Sequence, residues 1–257
     1  MYQILAYLKF LLKSTNQHGV HSPFVYGLVT RCFYDRKKYP SYTLLSRYRQ
    51  SLLKNHSAIE VKDFGAGSRV FNSSERKIRD IARTAGITSK RARLLNRLIK
   101  YLEIKSALEL GTSLGLGSAA MAAGNKVTVT TLEGCPHTAE VAQDQFRKFE
   151  LENINLEVGD FNELLVKSPK LNKHYDLVYL DGNHKKEPTL EYFHTLLPSA
   201  HNDSVFIFDD IHWSKDMTEA WEEIKAHPSV TVSIDTFFWG IVFFRKEQEK
   251  EHFVIRI

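Results

Sequence analysis

Four acidic residues in the second half of the sequence each stand at or just after the end of a short apolar run. They are Glu109, Glu133, Asp160 and Asp181. A carboxylate accepts hydrogen bonds from hydroxyl and amino groups, so acids at such positions can hold the ribose and the base of a nucleoside. Solvated acids at turns would explain one or two of these positions, but four in succession favour a binding site.

Glycine residues follow the first of these acids within residues 109–117, and a helix is predicted to start there. Glycine lets the backbone turn sharply and approach a ligand closely, and a helix N-terminus attracts anionic groups. Residues 115–120 also fit the GxGxxA pattern of nicotinamide dehydrogenases. That lone match begins five residues after the predicted strand, whereas the dinucleotide turn follows its strand almost directly. A dehydrogenase is therefore disfavoured.

A second acidic cluster is predicted at two neighbouring strand ends. Asp181 follows one apolar run, and Asp209 and Asp210 follow the next. Three carboxylates close together repel one another unless a cation or a proton lies among them. Carboxylate oxygens suit Mg²⁺, Mn²⁺ or Ca²⁺, so a divalent ion held by these three residues is one hypothesis. In the alternative there is no metal: Asp209 caps the following turn, and Asp210 and His184 only hydrogen-bond the backbone.

Short apolar runs alternate with amphipathic helical patterns from residue 106 onward. This alternation is typical of a parallel, doubly wound sheet covered by helices on both faces. Residues 236–239 alone separate the last two runs, too few for a crossover helix, so the last strand must be antiparallel. We predict an α/β, Rossmann-like fold with a doubly wound, seven-stranded, mostly parallel sheet. The predicted strands are residues 106–110, 126–132, 154–158, 176–180, 205–208, 230–234 and 240–244.

The first part of the sequence differs in charge and in pattern. Residues 1–105 hold 21 Lys and Arg against 6 Asp and Glu, whereas residues 106–257 hold 14 against 24. Helical spacing dominates the first part, so we predict a basic helical cap over residues 1–103 and an α/β domain over residues 104–257. The excess charge is either solvated on the surface of the cap or meets an anionic partner such as RNA.

Residues 4–12 are the most apolar early stretch, but they contain Lys9 and are too short to span a bilayer. We expect an amphipathic helix there and no membrane partner. Cys32 and Cys135 lie far apart in the sequence and lack the spacing of a zinc site, which favours a protein of the reducing cytoplasm.

Two other patterns are expected to be structural. Residues 63–67 fit an acid-x-Gly-x-Gly pattern, but only basic helices follow, so we predict a tight turn between helices. Aromatic residues flank the predicted strand ends at Trp213, Phe237, Phe238 and Trp239. Some could line a substrate pocket, although we expect Phe237 and Phe238 to pack in the core of the last hairpin.

The run from residue 107 to residue 244 resembles the class I S-adenosylmethionine-dependent methyltransferase family, including its reversed last strand. The resemblance implies that Glu109 and Gly111 lie along the methionine portion of the cofactor, that Glu133 holds the ribose, and that Asp160 reaches the adenine amino group. Ser113 departs from the second glycine of the family pattern. The cofactor residues implied in all are Glu109, Gly111, Thr112, Ser113, Gly115, Glu133, Gly134, Asp160, Phe161 and Asp181.

The second acidic cluster resembles the site of metal-dependent O-methyltransferases that act on catechols and sugars. That resemblance implies that Mg²⁺ or Mn²⁺ at Asp181, Asp209 and Asp210 activates a hydroxyl of a small acceptor molecule. It implies His184 as the general base, with Lys185 as the fallback, beside Asp181. The alternative is an RNA methyltransferase that uses the basic cap, although residues 181–184 do not match the Asn-Pro-Pro-Tyr-type motif of base-amine enzymes. A non-catalytic nucleotide-binding module is a third alternative, which acids at every strand end disfavour.

Overall fold

A computed structural model describes residues 2–62, 73–167 and 174–257 of the chain. The turn predicted at residues 63–67 lies outside these ranges. The chain divides into two compact units: Met1–Asp35 with Asn172–Ile257, here called the terminal unit, and Arg36–Leu171, here called the central unit. The domain boundary predicted after residue 103 falls inside the central unit.

Ten strands occur in the described part of the chain. In chain order they are β1 Ala58–Glu60, β2 Glu75–Lys77, β3 Ser106–Leu110, β4 Thr128–Glu133, β5 Ile154–Val158, β6 Leu177–Leu180, β7 Val205–Asp209, β8 Val232–Asp235, β9 Trp239–Phe243 and β10 Glu251–Val254. β1 and β2 form a small antiparallel hairpin, and the other eight strands form one sheet in the order β10-β8-β9-β7-β6-β3-β4-β5. The predicted α/β fold class is confirmed, with eight strands in the sheet in place of seven.

The reversed strand is β9, which pairs antiparallel with both β8 and β7. The predicted hairpin is therefore confirmed. β10 was not predicted, and it pairs in parallel with β8, with Glu251 opposite Val232. Its residues are only half-buried or exposed, so its sequence lacks the continuous apolar run that marks the buried strands.

Ten α-helices connect and cover these strands in the described ranges. They are α1 Tyr2–Lys13, α2 Pro23–Leu28, α3 Ser41–Leu53, α4 Ile78–Thr84, α5 Ser89–Tyr101, α6 Leu116–Ala122, α7 Pro136–Lys148, α8 Phe161–Lys167, α9 Lys186–Leu196 and α10 Lys215–Ala226. None of the helices in the described residues is long and apolar enough to cross a bilayer.

The strands are positioned by burial on both sides. Every residue of β6, β7 and β9 is buried, as expected for strands with covered faces. In the central unit, the buried side chain of Asn96 ties α5 to α6 by donating to the carbonyl oxygens of Ala120 (2.9 Å) and Ala123 (2.8 Å). This packing fixes α6 and the loop that precedes it.

Candidate functional site

Loops that follow strands hold most of the unusual backbone conformations. Among non-glycine residues, φ is positive at five positions after strands: Ser113, Asn183, His184, Asp210 and Phe237. Such conformations are uncommon, are energetically unfavourable and concentrate at functional sites. In a doubly wound sheet, ligands bind outside the carboxyl ends of the strands. These loops are therefore the candidate ligand-binding segments, and they are described below for each unit by itself.

In the central unit, Glu133 is the last residue of β4 and receives two backbone hydrogen bonds. The N–H of Ser113 donates to Oε2 (2.6 Å), and the N–H of Cys135 donates to Oε1 (2.9 Å). Burial raises the pKa of Glu133, and these backbone donors oppose the rise because they stabilise the charged form. The Gly134 N–H and the Thr138 hydroxyl also act on this carboxylate, which is partly exposed and can accept hydrogen bonds from the hydroxyls of a ligand.

Glu109 lies in β3 and is 1% exposed. Its Oε2 atom accepts hydrogen bonds from the hydroxyls of Ser118 and Thr131, the latter at 2.6 Å. Burial raises the pKa of Glu109 to about 7, while the two hydroxyl donors act in the opposite direction. This carboxyl group therefore changes charge near neutral pH.

The loop between β3 and α6 is held by backbone and side-chain contacts. The N–H groups of Gly111 and Thr112 both donate to the carbonyl oxygen of Leu132, at 3.0 and 3.1 Å. The buried Thr112 hydroxyl lies 2.6 Å from the hydroxyl of Thr131. Tyr48 of α3 donates to the carbonyl oxygen of Leu114 (2.9 Å). The loop is thus fixed from both sides before any ligand binds.

Gly115 is a position of this loop where a side chain is sterically excluded. Its φ is +75°, and an added Cβ would lie 2.4 Å from Cε1 of Phe146 and 2.5 Å from the Tyr48 hydroxyl. The residue caps the N-terminus of α6 with left-handed backbone. Glycine is required here for both conformation and space.

Asp160 and Phe161 stand at the start of α8, after β5. Oδ1 of Asp160 accepts the N–H of Glu163 (3.2 Å), so the side chain caps the helix. Asp160 is exposed, and its other oxygen can accept a donor from a ligand. Its structural role as a cap and its predicted contact with an adenine amino group are therefore compatible. Gly134 separates Glu133 from Cys135 in a bend.

In the terminal unit, one buried hydroxyl joins two of the predicted metal ligands. Tyr179 of β6 is fully buried, and its hydroxyl lies 3.2 Å from Oδ2 of Asp181 and 3.1 Å from Oδ2 of Asp209. Oδ1 of Asp209 accepts the N–H of Asp210 (2.9 Å), which caps the turn after β7. The structure therefore brings Asp181 and Asp209 together around a tyrosine.

His184, the predicted general base, lies beside Asp181. Its Nε2 atom is 3.8 Å from Oδ1 of Asp181, and the two side chains are 27% and 20% exposed. The backbone of both Asn183 and His184 is left-handed, which directs this short segment after β6. Lys185, the fallback base, is exposed just before α9. His184 thus has both the partial exposure and the neighbouring carboxylate that a base needs.

The predicted metal site stays a prediction, although two of its three ligands lie close together. Within residues 2–62, 73–167 and 174–257, no group of three or more His, Cys, Asp or Glu side chains is arranged to hold a metal ion. A hydroxyl lies between Asp181 and Asp209, and Asp210 contributes its backbone N–H to Asp209. The contact at Asp209 is the one that the alternative predicts for that residue.

The aromatic residues near these strand ends divide into two groups. Trp239 is fully buried, and Phe237 is 9% exposed and stacks on His212 with ring centroids 5.3 Å apart. His212 also hydrogen-bonds Asp235 through Nε2 (2.8 Å). Phe238, in contrast, is 47% exposed, so its predicted core role is wrong.

Three structural partners of the predicted site residues were not found from the sequence. Thr131 and Ser118 contact Glu109, and Tyr179 contacts Asp181 and Asp209. A signal existed for Tyr179, because side chains two apart on a strand share a face and Tyr179 precedes Asp181 by two positions. The helical position of Ser118 gave no comparable signal.

Comparisons with known proteins agree with this architecture. A family model described as a methyltransferase domain matches residues 108–211. A comparison with curated proteins gave no match.

Solved structures with similar folds include several O-methyltransferases. The enzyme from Bacillus cereus, solved in complex with S-adenosylhomocysteine, is 17% identical, with a TM-score of 0.55 over 82% of this chain and 93% of that one. TomG from Streptomyces achromogenes, involved in tomaymycin synthesis and solved with S-adenosylmethionine, is 14% identical. Its TM-score is 0.55 over 90% of this chain and 100% of that one. The methyltransferase PaMTH1 from Podospora anserina, bound to S-adenosylhomocysteine, is 13% identical, with a TM-score of 0.61 over 88% of this chain and 97% of that one.

Residues 108–211 match a methyltransferase domain, and the strand order is that of a Rossmann-like methyltransferase fold. The fold resembles that of the O-methyltransferases.

Proposed function

We propose that this protein transfers the methyl group of S-adenosylmethionine to an oxygen atom of a small hydroxylated acceptor. The observation that carries the proposal is the placement of carboxylates at successive strand ends, above all Glu133 at the end of β4 with its backbone donors. The O-methyltransferases with similar folds support the choice of oxygen as the acceptor atom.

The residues of the central unit fit the cofactor chemically. Glu133 is partly exposed and could accept hydrogen bonds from the ribose hydroxyls, and Asp160 keeps an exposed oxygen for an amino group. The fixed loop around Gly111, Thr112 and Ser113 would lie along the amino-acid portion, with Gly115 allowing close approach. When bound, the cofactor supplies an electrophilic methyl group on a positively charged sulfur.

The residues of the terminal unit fit proton removal. Methyl transfer needs an aligned and deprotonated acceptor oxygen. His184 would take the hydroxyl proton, and Asp181 at 3.8 Å would stabilise the imidazolium that results. Lys185 stays a fallback base because it is exposed and adjacent in the chain.

The proposed mechanism has no step that uses a divalent ion. Mg²⁺ or Mn²⁺ would need several oxygen ligands directed at one point. The Tyr179 hydroxyl lies between Asp181 and Asp209, and no three-residue metal group occurs in the described residues. Proton removal by His184 is the mechanism that this arrangement supports.

The RNA alternative gains no specific support. Several cations of the predicted basic cap have partners within the central unit: the Arg93 guanidinium lies 5.2 Å from the Tyr42 ring centroid, and Lys100 lies 4.6 Å from that of Tyr39. Arg49 donates to the carbonyl oxygen of Ile87 (2.7 Å). Part of the positive charge therefore stabilises the packing of helices.

The direct test is transfer of a radiolabelled methyl group from S-adenosylmethionine to a panel of catechols, phenols and sugars. We expect product methylated on oxygen, and His184→Ala should lower the rate by about 10²–10⁴-fold. His56→Ala is the matched control, because His56 is exposed and contacts Arg79 in the central unit. Methylation of RNA with no small-molecule product would contradict the proposal.

A further inference from the structure

Helix α1 carries an unusual concentration of exposed apolar side chains. Seven of the eleven large apolar residues exposed in the described part of the chain belong to this twelve-residue helix. Five aliphatic ones fall within an arc of about 120° at 100° per residue, here called the aliphatic stripe. They are Ile4 (68% exposed), Leu5 (54%), Leu8 (52%), Leu11 (36%) and Leu12 (88%).

The other side of α1 is docked on the terminal unit. Phe10 is buried, and the rings of Tyr7 and Phe10 lie 4.8 and 5.6 Å from that of Phe237. Directly after the helix, the N–H of Thr15 donates to the carbonyl oxygen of Val254 (2.8 Å). These contacts fix the rotation of α1, so the aliphatic stripe faces outward. A surface helix of a globular protein normally turns its apolar side to the core.

Charge distinguishes the molecules that could cover this stripe. Lys9 and Lys13 lie along one edge of it, and residues 1–34 contain no Asp or Glu. Two copies packed stripe to stripe would bring both lysine pairs to one interface, with no acid in these segments to neutralise them. An anionic surface would attract them instead.

Aromatic residues complete the pattern of an interfacial helix. Tyr2 and Tyr7 of α1 are 38% and 43% exposed, and Phe238 of the same unit is 47% exposed with its ring 5.1 Å from Phe237. Aromatic side chains are enriched where lipid headgroups meet hydrocarbon, and lysines extend their charged ends towards the headgroups.

We propose that α1 lies in the plane of an anionic lipid bilayer, with the aliphatic stripe inserted and Lys9 and Lys13 at the headgroups, and that it holds the protein on the membrane surface. At twelve residues the helix is too short to cross a bilayer, but interfacial helices need no such length. The sequence analysis expected no membrane partner because residues 4–12 are too short to span a bilayer. The sequence did not show that the aliphatic stripe is exposed, so binding at the membrane surface was not considered.

The first test is sedimentation of the 257-residue protein with vesicles of phosphatidylcholine, with or without phosphatidylserine. We expect binding that is strong only when phosphatidylserine is present. Leu8→Glu/Leu12→Glu should weaken it at least about tenfold, whereas Val166→Glu, at another exposed aliphatic residue (76%), should not. Lys9→Gln/Lys13→Gln should weaken it about 25-fold, at roughly fivefold for each lysine. Lys215→Gln/Lys246→Gln is the matched control.

A second measurement does not depend on binding loss. Cys32 and Cys135 are each 1% exposed, so a cysteine placed at Leu8 can be labelled selectively with an environment-sensitive fluorophore. On phosphatidylserine vesicles we expect a blue shift for the label at Leu8→Cys and none for the label at Val166→Cys.

Three results would overturn the proposal. One is no sedimentation with vesicles of either composition, and another is equal sedimentation of the Leu8→Glu/Leu12→Glu variant. The third is a dimer in analytical ultracentrifugation that dissociates in that variant while the wild type ignores vesicles, which would assign the stripe to a second copy of the chain.

Discussion

Replacement of Glu109 by Gln should stabilise the protein more at alkaline than at acidic pH. Burial of this carboxyl group raises its pKa to about 7 from an ordinary value of 4.5. Since the folded state holds the proton more tightly, wild-type stability falls as the pH rises from about 4.5 to about 7 and stays lower above that range. Gln is neutral throughout, so it removes this dependence.

The magnitude follows from the two pKa values. Each pKa unit is worth about 1.4 kcal/mol. Part of the titration lies below pH 5, so between about pH 5 and about pH 8 the ionisation of Glu109 should lower the free energy of unfolding of the wild type by about 2.5 kcal/mol. Any cost of replacing the hydrogen bonds from Ser118 and Thr131 is the same at both pH values for the neutral Gln side chain. The difference between variant and wild type should therefore change by this amount.

Urea denaturation of both proteins at the two pH values measures this quantity. Glu140→Gln on α7 is the control, because its exposed side chain keeps its hydration on folding. An equal stability difference between Glu109→Gln and wild type at both pH values would refute the argument, since it would mean that Glu109 ionises as readily in the folded as in the unfolded chain.

Four further outcomes are expected. Gly115→Ala should lower the free energy of unfolding by at least about 2 kcal/mol, because φ is +75° there and an added Cβ would lie 2.4 and 2.5 Å from neighbouring atoms. Gly124→Ala is the control: φ is +68° and the nearest atom is 3.4 Å away, so the loss in the same denaturation experiment should be clearly smaller. Equal losses would contradict the steric argument. Tyr179→Phe should cost about 1–3 kcal/mol in urea denaturation, because buried Asp209 loses a donor; unchanged stability would contradict it. Methyl transfer should continue in excess chelator, and loss of activity that Mg²⁺ restores would return the metal hypothesis to favour. His184→Ala should lower kcat while the Kd of S-adenosylhomocysteine changes little, and a matching loss of cofactor binding would contradict its role as a base.

The fold was largely predictable because the central strands of its sheet are buried on both faces. Continuous apolar runs such as β7 (Val205–Asp209) gave the strand bounds to within a residue, and the short connection before β9 required the reversal. β10 was missed because its residues are half-buried or exposed and its pairing depends on tertiary contact with β8. Edge strands of this kind carry a weak periodic signal.

The candidate site was predictable in position but not in its interactions. Glu133 stands at the end of β4 as expected, because a strand end fixes where its side chain begins. The sequence places Tyr179 on the same face as Asp181, but it could not show that the Tyr179 hydroxyl also reaches Asp209 on the neighbouring strand. The exposure of Phe238 was equally hidden, because a hairpin turn decides which of two adjacent aromatic residues faces the core.

Isothermal titration of the protein with S-adenosylhomocysteine tests the central claim most directly. We expect a Kd on the order of micromolar for the wild type, about tenfold or more weaker binding for Glu133→Gln because the ribose hydroxyls lose a charged acceptor, and no change for Glu140→Gln. Binding of NADH with no detectable binding of S-adenosylhomocysteine would contradict the assignment of this chain as an S-adenosylmethionine-dependent methyltransferase.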